Sequence, residues 1–193
     1  MYNFIKNNNF KDYFVDDLVY DDTKIIFVLE SPHKDEVKNT YPVAGKSGKD
    51  ISKVLFEDEN LKKFSFGELI FSRKISGFGI VNISNIPLQE SAYNGIDFDF
   101  REFELFRQNP SLRKKSCHLN TTIKMFQDDF KKRLQKHKDK KLILCGAFAQ
   151  KIFYDTFKSD EFIDTIDVPH PSFNNWSKTK YAEKVKQLLE FIK

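Results

Sequence analysis

Cysteine is scarce in this chain of 193 residues: there are two, Cys117 and Cys145. They cannot by themselves form a four-cysteine zinc or iron–sulfur site, and they do not make the disulfide framework of a small secreted domain. Long apolar runs are missing too. No stretch approaches the roughly 20 residues needed to span a bilayer, and Met1-Tyr2-Asn3-Phe4-Ile5-Lys6 has no signal-peptide core. A soluble, cytoplasmic protein is expected. A strong charge of one sign is also lacking. With 32 Lys and Arg against 28 Asp and Glu, the net charge is +4, which permits nucleic-acid binding without demanding it. No internal repeat is visible, and the length leaves no room for two full cores. One domain is expected over residues 1–193.

What is present is a core-forming composition, with 40% hydrophobic and 31% charged residues, well outside the disordered range. Four short apolar runs stand out: Lys24 to Leu29, Gly79 to Ile83, Lys141 to Cys145 and, more weakly, Thr165 to Val168. Their hydrophobicity is continuous rather than alternating, which suits strands buried on both faces. Helical spacing predicts helices over Ser47–Lys62, Asn120–Lys136, Ala147–Phe157 and Tyr181–Ile192. Strands separated by helices imply right-handed crossovers. The expected fold is α/β, a three-layer α/β/α sandwich on a mainly parallel sheet of about four strands. Residues 88–117 read as a polar excursion with one short helix, Phe98 to Arg107. The basic run from Lys131 to Lys141, Arg133 included, precedes the third strand and reads as a solvated helix face.

Ligands of open parallel sheets bind beyond the C-terminal strand ends. After the first strand comes Glu30-Ser31-Pro32-His33, then Tyr41-Pro42-Val43-Ala44-Gly45-Lys46-Ser47-Gly48. Asn82 sits near the end of the second, Gly146-Ala147 follows the third, and His170-Pro171-Ser172 follows the fourth. A carboxylate, an amide, a glycine turn and an imidazole thus belong to one edge. Each alone has a plain alternative. Glu30 could be a surface carboxylate, Asn82 a satisfied buried amide, His170 a loop brace, and Gly146 a helix-packing glycine. Gly45-Lys46-Ser47 lacks P-loop spacing because position 40 is Thr.

The order of these motifs resembles the uracil-DNA glycosylase superfamily, most closely its iron–sulfur branch. Leu29-Glu30-Ser31-Pro32-His33 stands where that branch has Gly-Glu-Ala-Pro-Gly. Pro42-Val43-Ala44-Gly45 stands for its Pro-Phe-Val-Gly region, Val81-Asn82-Ile83 for its Asn-Val motif, and Leu144-Cys145-Gly146-Ala147 for its Gly-Ala turn. His170-Pro171-Ser172 matches intact. The cluster cysteines are missing, so no iron–sulfur cluster, metal or other cofactor is expected. Val43 replaces the phenylalanine that stacks on the base, with Tyr41 a possible substitute, and His33 replaces a glycine.

The resemblance implies hydrolysis of the N-glycosidic bond of uracil or a related base after base flipping. Glu30 and His170 would be catalytic, with Ser31, Tyr41, Val43, Asn82 and Gly146 around the base. It places a wedge loop after His170, where Phe173 or Trp176 would enter the stack. Lys46, Ser47, Ser172, Lys178 and Lys180 would meet phosphates. For Trp176 the alternative is a core anchor under the last helix, and for Ser47 a helix cap. Arg113-Lys114-Lys115 could extend the DNA footprint, with a flexible, solvated loop as the alternative. DNA, single- or double-stranded, is the expected partner, and a monomer the expected state. Two other readings stay open: a binding module that kept the fold and lost excision, and a hydrolase of free nucleosides.

Overall fold

The computed structural model describes residues 10–108 and 117–193. The Arg113-Lys114-Lys115 run lies outside them. Four strands form one sheet: β1 (Ile25–Leu29), β2 (Phe78–Asn82), β3 (Lys141–Cys145) and β4 (Asp164–Val168). Every pairing is parallel, and the order is β2-β1-β3-β4. Between and after the strands run α1 (Lys34–Asn39), α2 (Lys46–Leu55), α3 (Glu59–Lys62), α4 (Phe66–Phe71), α5 (Arg101–Gln108), α6 (Cys117–Leu134), α7 (Ala147–Thr156) and α8 (Ala182–Ile192).

The apolar runs are continuous because both faces of the sheet are covered. Ile26, Val28, Val81, Leu142 and Leu144 face one core with Phe103 and Phe106 of α5, Phe126 and Phe130 of α6, and Ile152 and Phe153 of α7. Ile25, Phe27, Leu29, Ile80 and Ile143 face the other, with Ile51 of α2, Phe66 and Ile70 of α4, and Val185 and Leu188 of α8. This is a three-layer α/β/α sandwich. Each fully buried Phe or Leu contributes about 1.5–3 kcal/mol, so the aromatic abundance is spent on these two cores.

Three expectations are corrected. The helix expected over Ser47–Lys62 is two. α2 ends at Leu55 and Phe56 turns extended. Asp58 then caps α3 by accepting the Asn60 N–H at 2.8 Å. The reason is packing: Phe56 leaves helical geometry and packs on Phe66, with ring centroids 6.3 Å apart. Second, the described part of the 88–117 excursion is not a polar appendage. Leu88, Ala92, Phe100, Phe103 and Phe106 are buried, and Phe98 and Phe100 join a ring cluster around Phe10. Third, α5 starts at Arg101 rather than Phe98, because the preceding Phe residues are drawn into that cluster.

The parallel register sets the functional edge. Leu29 pairs with Asn82, and Cys145 with Val168. Glu30, Asn82, Gly146 and His170 therefore emerge at the same end of the sheet, around the point between β1 and β3 where the strand order reverses.

Candidate active site

A cavity of about 350 Å³ opens at that edge, within the usual size of a small-ligand site. Glu30, Ser31, Val43, Asn82 and His170 line it, together with Ser47, Ser172 and Phe173. Residues remote in sequence meet there because the ends of β1, β2 and β4 supply them.

Glu30 follows β1 and is largely buried. Its Oε1 accepts a hydrogen bond from Arg107 Nε at 2.5 Å. Burial raises its pKa above the ordinary carboxylate value, and the Arg107 charge opposes that rise.

His170 is held by its own loop. Its Nδ1 accepts the Ser172 backbone N–H at 3.1 Å and lies 2.8 Å from Ser172 Oγ. A backbone N–H can only donate, so the neutral ring carries its proton on Nε2. Burial, reinforced by the Arg107 charge, lowers the imidazole pKa to about 4. His170 is therefore neutral at pH 7.

Asn82 is 3% exposed, and its backbone is pinned from below. Its N–H donates to Asp17 Oδ1 at 3.3 Å, and its carbonyl accepts from Arg133 Nη2 at 2.9 Å. Arg133 also donates to the Ile83 carbonyl and pairs with Asp17 at 2.7 Å and Asp129 at 2.8 Å. This corrects the solvated-face reading of the basic run. Lys131 and Lys132 are exposed, but Arg133 turns inward and braces the Asn82 turn.

Gly146 and Tyr41 do not line the cavity. Gly146 adopts φ +91°, and a Cβ there would stand 2.8 Å from His170 Cβ. Its place is behind the imidazole, which it lets approach the end of β3. Tyr41 stacks on Phe71 with centroids 4.9 Å apart, so it is not available to replace the missing phenylalanine. Val43 lines the wall with φ +58° and is 4% exposed. Gly48 packs against the Val43 carbonyl, where a Cβ would come within 2.0 Å. Its role is to admit that turn.

On the outer side, Phe173 is 82% exposed and both it and Asn174 have positive φ. Trp176 is the opposite: 3% exposed, its Nε1 donating to the Pro169 carbonyl at 2.7 Å. It is a core anchor, packed with Val185 and Leu188 of the last helix. Burying the indole and satisfying its N–H ties the loop after β4 to the core. Lys46, Lys178 and Lys180 are exposed. Lys178 Nζ donates to Asn175 Oδ1, and Lys180 lies over the Tyr181 ring. Gly45, without a side-chain cap, precedes α2, so Ser47 is not its cap and lies in the cavity wall instead.

The family model of the uracil DNA glycosylase superfamily matches residues 17–193. The chain belongs to the uracil DNA glycosylase superfamily. Comparison with curated proteins gave no match. Superfamily membership carries a DNA glycosylase-like function in general terms, and the superfamily acts on DNA. Among the described residues no helix is long and apolar enough to cross a membrane.

In this superfamily member the cavity contains residues that sequence reasoning missed: Arg107, Gln89 and Glu36, together with His33, noted only as a replaced glycine. Gln89, with its amide turned to satisfy both ends, donates to His33 Nε2 at 3.0 Å and accepts from Arg107 Nη2 at 3.3 Å. Glu36 Oε2 accepts the His33 backbone N–H at 3.0 Å, closing the start of α1. The usable signal for Arg107 was its place one residue after Phe106 on an amphipathic helix. Phe103 and Phe106 pin one face of α5 to the core, which fixes where the next side chain can reach.

Proposed function

We propose that the chain hydrolyses the N-glycosidic bond of uracil or a related altered base in DNA, after the nucleotide is flipped out of the stack. The observation that carries this reading is the shared cavity of Glu30, His170 and Asn82. In the reaction the C1′–N bond breaks, the sugar develops oxocarbenium character and the base departs as an anion. Water adds to C1′ and loses its proton.

Glu30, when ionised, orients that water and stabilises the positive sugar, as carboxylates do in glycoside hydrolysis. His170 donates its Nε2 proton in a hydrogen bond to the oxygen of the leaving base. A neutral imidazole does this without an ionised group having to be buried. Asn82 supplies one donor and one acceptor, which match the N3–H and O4 edge of uracil. A base that cannot make both bonds leaves buried polar atoms unpaired and is rejected.

Phe173 is the wedge of this reading, because an exposed aromatic on a fixed loop can occupy the gap left by the flipped base. On this reading Ser47 and Ser172, which line the cavity, and the exposed Lys46, Lys178 and Lys180 are the phosphate contacts. On this reading the chain works as one domain and as a monomer, and needs no metal.

A second reading is a module that binds DNA without excision. It is favoured by Val43 and by the engagement of Tyr41 with Phe71, which leave Phe173 as the aromatic among the cavity-lining residues. A panel of oligonucleotides carrying different altered bases, followed by alkaline cleavage of abasic sites, separates the two. Excision predicts strand breaks with at least one base, lost in Glu30→Gln and His170→Ala. Tight, salt-sensitive binding without breaks supports the module. Turnover of free nucleosides with little salt dependence would point to a nucleoside hydrolase.

A further inference from the structure

The Glu30 carboxylate, which lines the cavity, does not stand alone. Its partner comes from the segment between β2 and α6, which sequence reading left outside the site. Glu30 is 19% exposed at the side chain and Arg107 33%, with Nε on Oε1. The groups facing Glu30 come from three directions. Arg107 and Glu104 project from α5, with Arg107 Nη1 4.0 Å from Glu104 Oε2. Gln89 comes from the strand-to-helix connection and links Arg107 to His33. His33 and Glu36 belong to the start of α1, and both line the cavity together with His170.

From this arrangement we infer that Arg107 is a positioning residue of the reaction. It fixes the Glu30 carboxylate for the incoming water and holds it ionised inside the cavity, with Gln89 orienting the guanidinium. The inference rests on the glycosylase reading and extends it to a residue of the 88–108 segment. A buried carboxylate far from any cation is pushed towards its neutral form, which cannot orient a water as a base. Glu104 close to the same guanidinium adds to that push, since its charge also raises the Glu30 pKa. Arg107 is the cation that opposes both, and its fork leaves Glu30 Oε2 uncommitted to it. Arg107 also lowers the His170 pKa, so one guanidinium favours the ionised acid and the neutral imidazole together.

Removing Arg107 raises the Glu30 pKa and raises the His170 pKa. Both changes move the acid limb of the rate profile to higher pH. Arg107→Met keeps the length and apolar stem of the side chain and removes the charge. Arg107→Lys restores the charge without the fork.

The test is single-turnover base release from a uracil-containing oligonucleotide across pH 5–9, for the wild type, Arg107→Met, Arg107→Lys and Gln89→Leu. Thermal unfolding of each variant reports folding. In parallel, the ¹³C carboxyl resonance of Glu30 is titrated by NMR without substrate. Expected for Arg107→Met is a loss of at least about tenfold, up to the roughly 10²–10⁴-fold range of general-base catalysis. The loss is greatest at low pH, the acid limb and the Glu30 titration both move up, and Arg107→Lys recovers part of the rate. An unchanged pH profile and an unmoved Glu30 titration in folded Arg107→Met would overturn the inference. So would a loss uniform in pH that Arg107→Lys does not relieve. If the wild type releases no base from any oligonucleotide of the altered-base panel while the Glu30 titration still moves, the glycosylase reading fails, and the role of Arg107 in the reaction falls with it although the charge coupling stands.

Discussion

Gly146→Ala probes how the imidazole is held without touching a group that would contact substrate. Gly146 has φ +91° and ψ 157°, a region populated almost only by glycine, where another residue costs about 1–3 kcal/mol. The added Cβ would lie 2.8 Å from His170 Cβ and 3.3 Å from its Cδ2, against the 3.5–4.0 Å at which carbon atoms ordinarily rest. Relaxation is restricted. The Gly146 N–H donates to the Val168 carbonyl at 2.8 Å. Gln150 Nε2 bridges the Leu144 and Val168 carbonyls at 3.1 and 2.8 Å, clamping the ends of β3 and β4. Overpacking in such a place adds about 1–3 kcal/mol, so the expected total is about 2–6 kcal/mol. Urea unfolding measures that loss, and single-turnover base release should fall because His170 must shift. Gly95→Ala is the control. Gly95 also has positive φ, +70°, but nothing lies within 4 Å of a Cβ placed there. It should lose about 1–2 kcal/mol and keep the wild-type rate. Equal stability losses in the two variants with equal rates would refute the claim that Gly146 seats His170.

Other outcomes follow from the same geometry. Arg133→Met strands the Asp17 carboxylate, whose pKa burial already raises against the Arg133 charge; a loss of about 3–5 kcal/mol in urea unfolding is expected, and one below about 1 kcal/mol would contradict the brace. The depressed His170 pKa means that the unfolded chain binds the extra proton between pH 6.5 and about 4. Stability should therefore fall as pH drops through that window, by up to about 3 kcal/mol from this group, and His170→Gln should flatten that part of the profile. No flattening would remove the buried neutral imidazole from the account. Phe173→Ala should change stability by less than about 0.5 kcal/mol, because the ring is exposed. It should slow base release from duplex DNA more than from single strands, and equal slowing on both would argue against a wedge.

The sheet and its functional edge were legible in the sequence because a strand buried on both faces writes an unbroken apolar run. The run Lys141–Cys145 and strand β3 coincide residue for residue. Glu30, Asn82 and His170 were legible for a related reason, since each stands at or just beyond such a run. Arg107 and Gln89 were not. Their positions depend on how Phe98, Phe100, Phe103 and Phe106 fold a segment that looks polar in one dimension onto the sheet. Arg133 was hidden among lysines, because a helix face that is mostly solvated gives no sign that one guanidinium turns inward. Trp176 was open to two readings, and the carbonyl of Pro169 decided between them. The break at Phe56 followed a tertiary contact, not a propensity.

The central claim is that Glu30 and His170 act on the same bond from one cavity. The direct measurement is a double-mutant cycle in single-turnover release of base from a uracil-containing strand, using wild type, Glu30→Gln, His170→Ala and the double variant, all checked for folding. Two groups that serve one transition state lose their effects together. The account predicts a drop of about 10²–10⁴-fold for each single variant and little further loss in the double. A folded wild type that releases no base from any strand of the altered-base panel, or single variants that release base at the wild-type rate, would contradict it.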